Sequence, residues 1–182
     1  PLHYGDGHIP SKNDYFIPFG FTYDYYITAE QIENLSKASR SRIMLRALLV
    51  DEGVIENLDV NLEQIDDNAL RNLSFESFSL DVEERKCESS SYFEMTRDGF
   101  VSDITLAKPN LVFYSVPYDE GFTAYVNGTE SEIYKVNSGL CAVCAPAGEN
   151  EIVFTYKTPY LNTGIILSLI GLGIYISYII LI

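Results

Sequence analysis

The sequence predicts an α+β chain. A short helical and loop segment over residues 1–73 leads into an antiparallel β-sandwich over 74–158, and one C-terminal transmembrane helix follows over 159–182. Three observations carry that prediction. Helical spacing of apolar residues, with an N-terminal capping signal, is confined to the first part of the chain. A dense series of short alternating stretches separated by Gly, Pro and Asn fills the middle. No charged residue follows Lys157, and the run from Ile165, "IILSLIGLGIYISYIILI", is almost wholly apolar.

The first stretch, "PLHYGDGHIPSKNDYFIPFGFTYDYYI", is rich in Gly, Pro and Tyr without a sustained period, which predicts an ordered loop with room for one short strand. Helical signals start at Thr28, whose "TAEQ" reads as a capping box: the Thr hydroxyl and the Gln31 side chain each satisfy a free amide of the first turn. Ile32 and Leu35 then share a face. A second helix is expected over 41–52, with Ile43, Met44, Ala47 and Leu48 as its apolar face and Gly53 as its C-terminal cap. A third is expected within 62–73, where Leu62, Ile65, Ala69 and Leu73 recur at helical intervals.

After Leu73 the period changes to two. "FSLDVEE" sets Phe78, Leu80 and Val82 against Ser79, Asp81 and Glu83, the alternation of a strand with one wet face. Further strands are expected over 92–96, 100–106, 111–116, 123–126, 132–136, 140–145 and 152–156. Short strands at this spacing indicate an antiparallel sandwich or barrel. Asn127-Gly128 is the preferred pair of a type I′ hairpin, since both central residues need positive φ; it is expected to join "FTAYV" to a returning "EIYKV".

The C-terminal run has the length and polarity of a membrane span, for which roughly 20 apolar residues suffice. Its partners are then the lipid bilayer and neighbouring transmembrane helices. The formal net charge of -14 falls on the rest of the chain. A nucleic-acid partner is excluded on that balance, because phosphate recognition needs a basic footprint, and peripheral adsorption of the body to an anionic lipid surface is disfavoured. Lys157 is the lone cation flanking the span, and the missing Lys/Arg cluster places the acidic body outside the cytoplasm. "PLHYGDGHIP" has neither the basic nor the apolar region of a signal peptide and no initiator Met, which suggests a fragment of a longer protein whose earlier helices carried it across.

Residues that could carry chemistry are few. Asp119 and Glu120 are adjacent, so in an extended chain they face opposite ways, whereas paired-carboxylate catalysis needs two groups converging about 5 to 10 Å apart. His3, Asp6 and His8 lie close in sequence on a Gly-containing loop that does not preorganise a metal, and the balance is against one. No Gly-rich phosphate loop or nucleophile elbow is present, so no cofactor and no catalytic residue are assigned. Cys141 and Cys144 form a Cys-x-x-Cys spacing within an apparent strand, not at the helix N-terminus that activates a thiol; with Cys87 they read as small buried hydrophobes. Tyr23, Tyr25 and Tyr26, beside Phe19 and Phe21, are the candidate carbohydrate-binding platform, against the competing and favoured reading that they fill the join between the loop region and the sandwich. Arg40, Arg42 and Arg46 read as a solvated or salt-bridged helix face before an anion site. Asn34, Asn72 and Asn127 begin glycosylation sequons, relevant only in a eukaryotic secretory pathway.

"LVFYSVPYDEGFTAYVNG", then "IYKVNSGLCAVCAPAGENEIVFTYKTP" and the helix beginning "NTGIILSLIGL", resemble the C-terminal end of YfhO-type bacterial membrane proteins. "IPFGFTYDYYI" and "RALLVDEGVIEN" resemble the segment ahead of the sandwich in that family. One departure is Phe122, where relatives carry Trp: the aromatic plug is kept and an indole donor lost. The resemblance implies a polytopic parent similar to GT-C glycosyltransferases, which move sugars from a polyprenyl-phosphate donor to extracytoplasmic acceptors such as teichoic acids. It implies a catalytic acid in an early loop outside this chain, and a cell-envelope glycan as a further partner. The alternative is a membrane-anchored carbohydrate-binding or interaction module.

Overall fold

A computed structural model of the chain describes residues 13–55, 58, 60, 62–71 and 73–181. His3, Asp6, His8 and Asn72 lie outside the described residues. Two short strands come first among the described residues, β1 (Phe21–Thr22) and β2 (Tyr25–Ile27). The capping box forms as expected: the Gln31 amide donates to Thr28 Oγ1 and the Thr28 amide to Gln31 Oε1, starting α1 (Ala29–Glu33). The second helix, α2 (Lys37–Arg46), begins earlier than the apolar spacing indicated because the Ser36 hydroxyl caps the Ser39 amide. It also ends earlier. Ala47–Leu49 leaves the helix as β3 and pairs in parallel with β2, Tyr25 to Ala47 and Ile27 to Leu49, so a backbone ladder replaces the last turn. Gly53 therefore does not cap this helix; it lies within α3 (Glu52–Ile55). The expected third helix divides into β4 (Glu63–Gln64), which completes a parallel β3-β2-β4 sheet, and the short α4 (Asp67–Arg71).

The expected strand at "FSLDVEE" is corrected. Phe75–Cys87 is a helix, α5, capped by the Ser74 hydroxyl on the Ser77 amide. Its inward face carries Asp81, Val82 and Arg85, while Leu80 stands in solvent. Asp81 meets Arg46 of α2 at 3.0 Å, joining the two helices. Arg85 is buried, donates to the Thr22 carbonyl, and lies 5.2 Å over the Tyr23 ring.

Eight strands follow: β5 (Tyr92–Thr96), β6 (Gly99–Leu106), β7 (Asn110–Pro117), β8 (Phe122–Val126), β9 (Thr129–Ser131), β10 (Tyr134–Val136), β11 (Leu140–Ala145) and β12 (Gly148–Tyr156). They form a five-stranded sheet of order β5-β6-β12-β8-β9 and, with β1, a four-stranded sheet of order β1-β7-β11-β10, antiparallel throughout. Asn127 (φ 54°) and Gly128 (φ 78°) close the expected turn, but the returning strand is β9. Tyr134–Val136 of "EIYKV" instead pairs with β11 in the other sheet, so the chain changes sheets between Ser131 and Tyr134.

Between the sheets, Phe100, Phe154 and Tyr114 gather at ring separations of 4.4 to 5.4 Å, each burial contributing roughly 1.5–3 kcal/mol. The four-stranded sheet is covered on its outer face as well: Phe113 and Ala142 pack with Tyr23, Leu48 and Val50. That double cover is why β7 is buried continuously from Asn110 to Tyr114 while β6 alternates. A third cluster, Ile27, Ile43, Ala47, Ile65 and Leu73, lies between the parallel sheet and the helices.

The last element, α6 (Leu161–Leu181), leaves the body with every side chain exposed. Its 21 residues reach about 31 Å at 1.5 Å each, the thickness of a bilayer's hydrocarbon core.

Candidate functional site

Two features occupy opposite ends of the sandwich. At the helix end, the β7–β8 loop grips the chain that leads into α6. The Asp119 carboxylate accepts the Gly121 amide at 2.8 Å, and the Phe122 amide bonds the Asp119 carbonyl at 3.1 Å, a side-chain-stabilised turn. That turn presents the Gly121 carbonyl to the Lys157 amide at 2.9 Å. On the other side, the Tyr156 amide bonds the Asp98 carbonyl in the β5–β6 turn at 2.6 Å. The Phe122 and Tyr156 rings meet edge-on at 5.1 Å. Partial burial first, then the charge and hydrogen bonding of Asp119, hold the Tyr156 phenol above its usual range. Gly121 sits against the Lys157 carbonyl so closely that any Cβ would meet it at 2.4 Å. This is a clamp on the root of the membrane helix.

At the far end lies a polar cleft of about 470 Å³, lined by Ser91, Asp103, Thr105, Asn127, Glu149 and Glu151 among others. Strand register builds it: Asp103 is the cross-strand partner of Glu151, and Thr105 of Glu149, so the four side chains share the outer face of the five-stranded sheet. Asn127 holds the rim: its Oδ1 accepts the Glu151 amide at 3.0 Å and its Nδ2 donates to Asn150 Oδ1 at 2.9 Å. Glu149 to Tyr156 is seven strand steps, so the cleft and the clamp lie about 23 Å apart at roughly 3.3 Å per step. Among the described residues no group of three or more His, Cys, Asp or Glu gathers as metal ligands.

The three tyrosines do not form one platform. Tyr23 is a core residue, 1% exposed, with its hydroxyl on the Met44 carbonyl at 2.7 Å; burial raises its phenol pKa well above the ordinary value. Tyr26 packs against the cluster on the outer face of the four-stranded sheet, and Tyr25 alone is exposed, at 39%. Asp119 and Glu120 do not converge on a common point, since Asp119 serves its own turn. Cys141 faces the sandwich core and Cys144 the opposite side of β11, so the Cys-x-x-Cys pair cannot close; burial pushes the Cys141 thiol up to about 11. Cys87 differs from the buried hydrophobe expected of it, because it ends α5 in solvent. Arg40 bonds the Glu33 and Leu35 carbonyls, Arg42 the Leu73 carbonyl and Arg46 Asp81, so these cations hold helix junctions together.

Sequence reading missed the cleft, whose signal was the polar alternation at Asp103, Thr105, Glu149 and Glu151. It also missed the grip of Gly121, a glycine set opposite the last residues before an apolar helix.

A two-sheet sandwich clamped onto a fully exposed apolar helix is the soluble body of an integral membrane protein. The profile described as "Bacterial membrane protein YfhO" matches residues 56–168, more than half of the chain, and the chain belongs to that family. It is 25% identical over 182 residues to the "Uncharacterized protein YfhO" of Bacillus subtilis (strain 168), an alignment that takes in 93% of this chain and 21% of that relative. The chain thus spans about a fifth of the length of the curated relative it matches. No solved structure matches it.

Proposed function

We propose that the chain is the extracytoplasmic, non-catalytic C-terminal domain and last transmembrane helix of a polytopic protein of the GT-C glycosyltransferase type. That protein moves sugars from a polyprenyl-phosphate donor to a cell-envelope polymer, and this domain guides the acceptor. The clamp carries the reading: it ties the sandwich to the membrane surface at one end and leaves the polar cleft free at the other. Carboxylates, hydroxyls and amides suit the hydroxyl groups of a glycan.

Two measurements test it. Cys87 is exposed, so a membrane-impermeant maleimide labels it in intact cells if the body faces outward, and labelling disappears in Cys87→Ser. Labelling only after permeabilisation refutes the placement. In the full-length protein, Asp103→Asn with Glu151→Gln raises the acceptor KM several-fold at unchanged kcat. Loss of kcat instead would assign catalysis to this domain and sink the proposal.

A further inference from the structure

Just beyond the clamp, two clefts meet on the chain as it passes into the membrane helix. The upper one, about 570 Å³, is lined by Lys157, Thr158, Asn162 and Thr163 together with Tyr156, Tyr160 and Leu161. Its lining contains one cation, hydroxyls and an amide, and no carboxylate, in a chain that carries 26 acidic residues. Lys157 is exposed and, among the described residues, makes no ion pair. The lower cleft, about 450 Å³, runs down the helix along Gly164, Ile165 and Leu169 and is predominantly apolar. Tyr160 and Leu161 line both. Tyr160 is 79% exposed and held at φ 59°, a conformation uncommon for a non-glycine residue, and its carbonyl accepts the Gly164 amide at 2.9 Å.

We infer that this junction is a lipid site: the upper cleft takes the phosphate headgroup of an anionic glycerophospholipid and the lower groove one of its acyl chains, with the Tyr160 ring at the boundary. Continuity with the membrane helix selects the occupant. A polar cavity stacked on an apolar one at the level where a chain meets the bilayer has the division of a lipid, and tyrosine is the residue type enriched at that level. Charge complementarity selects the headgroup class: Lys157 lines the cleft without an ion pair among the described residues, and the nearby Asp119 carboxylate is engaged with its own turn and the Tyr156 hydroxyl. Without Cβ, Gly164 leaves the groove open beneath Tyr160.

The test uses the full chain in vesicles of phosphatidylcholine with a minor fraction of phosphatidylglycerol, released for native mass spectrometry. The wild-type chain retains phosphatidylglycerol over phosphatidylcholine. Lys157→Gln lowers that preference on the order of fivefold, the factor equivalent to about 1 kcal/mol per cation at a membrane surface, and leaves phosphatidylcholine retention unchanged. Gly164→Leu, on an exposed helix face and harmless to the fold, reduces retention of both lipids. Equal retention of the two lipids by the wild type, or a preference untouched by Lys157→Gln, overturns the site. So does a dimer of the chain that excludes lipid from the groove.

Discussion

Gly121→Ala perturbs the clamp with a single methyl group. A Cβ at this position would lie 2.4 Å from the Lys157 carbonyl oxygen, 2.6 Å from Cε2 of Tyr156 and 3.1 Å from Oδ1 of Asp119. The first neighbour is backbone, fixed because the Lys157 amide bonds the Gly121 carbonyl and the Tyr156 amide bonds Asp98. Relief must come from moving the segment 156–157 or the β7–β8 loop. Overpacking of this kind costs about 1–3 kcal/mol. Movement that breaks the 2.9 Å bond between Lys157 and Gly121 adds about 1 kcal/mol. A total near 2–4 kcal/mol corresponds to a Tm lower by roughly 5–15 °C for a body of this size. The assay is thermal unfolding of the full chain in detergent micelles, followed by near-ultraviolet circular dichroism, which reports the packing of the chain's tyrosines and phenylalanines. Gly121→Ser should behave alike. A Tm within about 1 °C of wild type would show that the loop yields freely and that the chain is not gripped there.

Arg46→Met leaves the buried Asp81 carboxylate without its partner at 3.0 Å and should cost about 3–5 kcal/mol in denaturant unfolding, with Asp81→Leu in the same chain recovering most of the loss. If the double variant is no better than the single one, the pair does not hold α2 to α5. Burial raises the Cys141 thiol to about 11, so the folded chain keeps a proton that the unfolded chain, titrating near about 8.5, gives up. The stabilisation is complete below that value and is lost as pH rises toward about 11. Denaturation midpoints in detergent between pH 7.5 and 10.5 should fall, and Cys141→Ala should flatten the part below about pH 10, where the buried Tyr23 and Tyr114 do not yet contribute. A slope unchanged by the substitution refutes the assignment to this thiol.

The parts of the fold that the sequence revealed are those governed by neighbours in the chain. Thr28 with Gln31 and Asn127 with Gly128 are four- and two-residue signals, and both the cap and the turn form, although the strand that returns from the turn is β9 and not the expected "EIYKV". The apolar run after Lys157 is decided by composition alone. The failures share a different physics. Helix α5 was hidden because its inward face holds Asp81 and Arg85, while apolar Leu80 is 67% exposed; the helical period therefore carried charge where apolar residues were expected, and Phe78, Leu80 and Val82 mimicked a strand. Leu48 and Ala47 read as a helix face and became β3 because Tyr25–Ile27, some 20 residues earlier, offers a parallel ladder that no local pattern announces. The clamp and the cleft are of the same kind. Asp119 could be read as a turn acid from its surroundings, but that its turn grips Lys157 depends on pairing across residues 121 and 157.

Strand order sets when this body can exist during synthesis. β12 is the central strand of the five-stranded sheet, pairing with β6 over eight positions and with β8 over five, and it is the last strand made. Until Gly148–Tyr156 has emerged, β6 and β8 both present open edges, the state most exposed to association with other chains. β1 waits longer still, since its partner β7 lies about 90 residues downstream. Only four residues separate the end of β12 from the start of α6. Completion of the sandwich and emergence of the helix are therefore nearly simultaneous events, and a chain stalled before β12 has neither a closed five-stranded sheet nor α6.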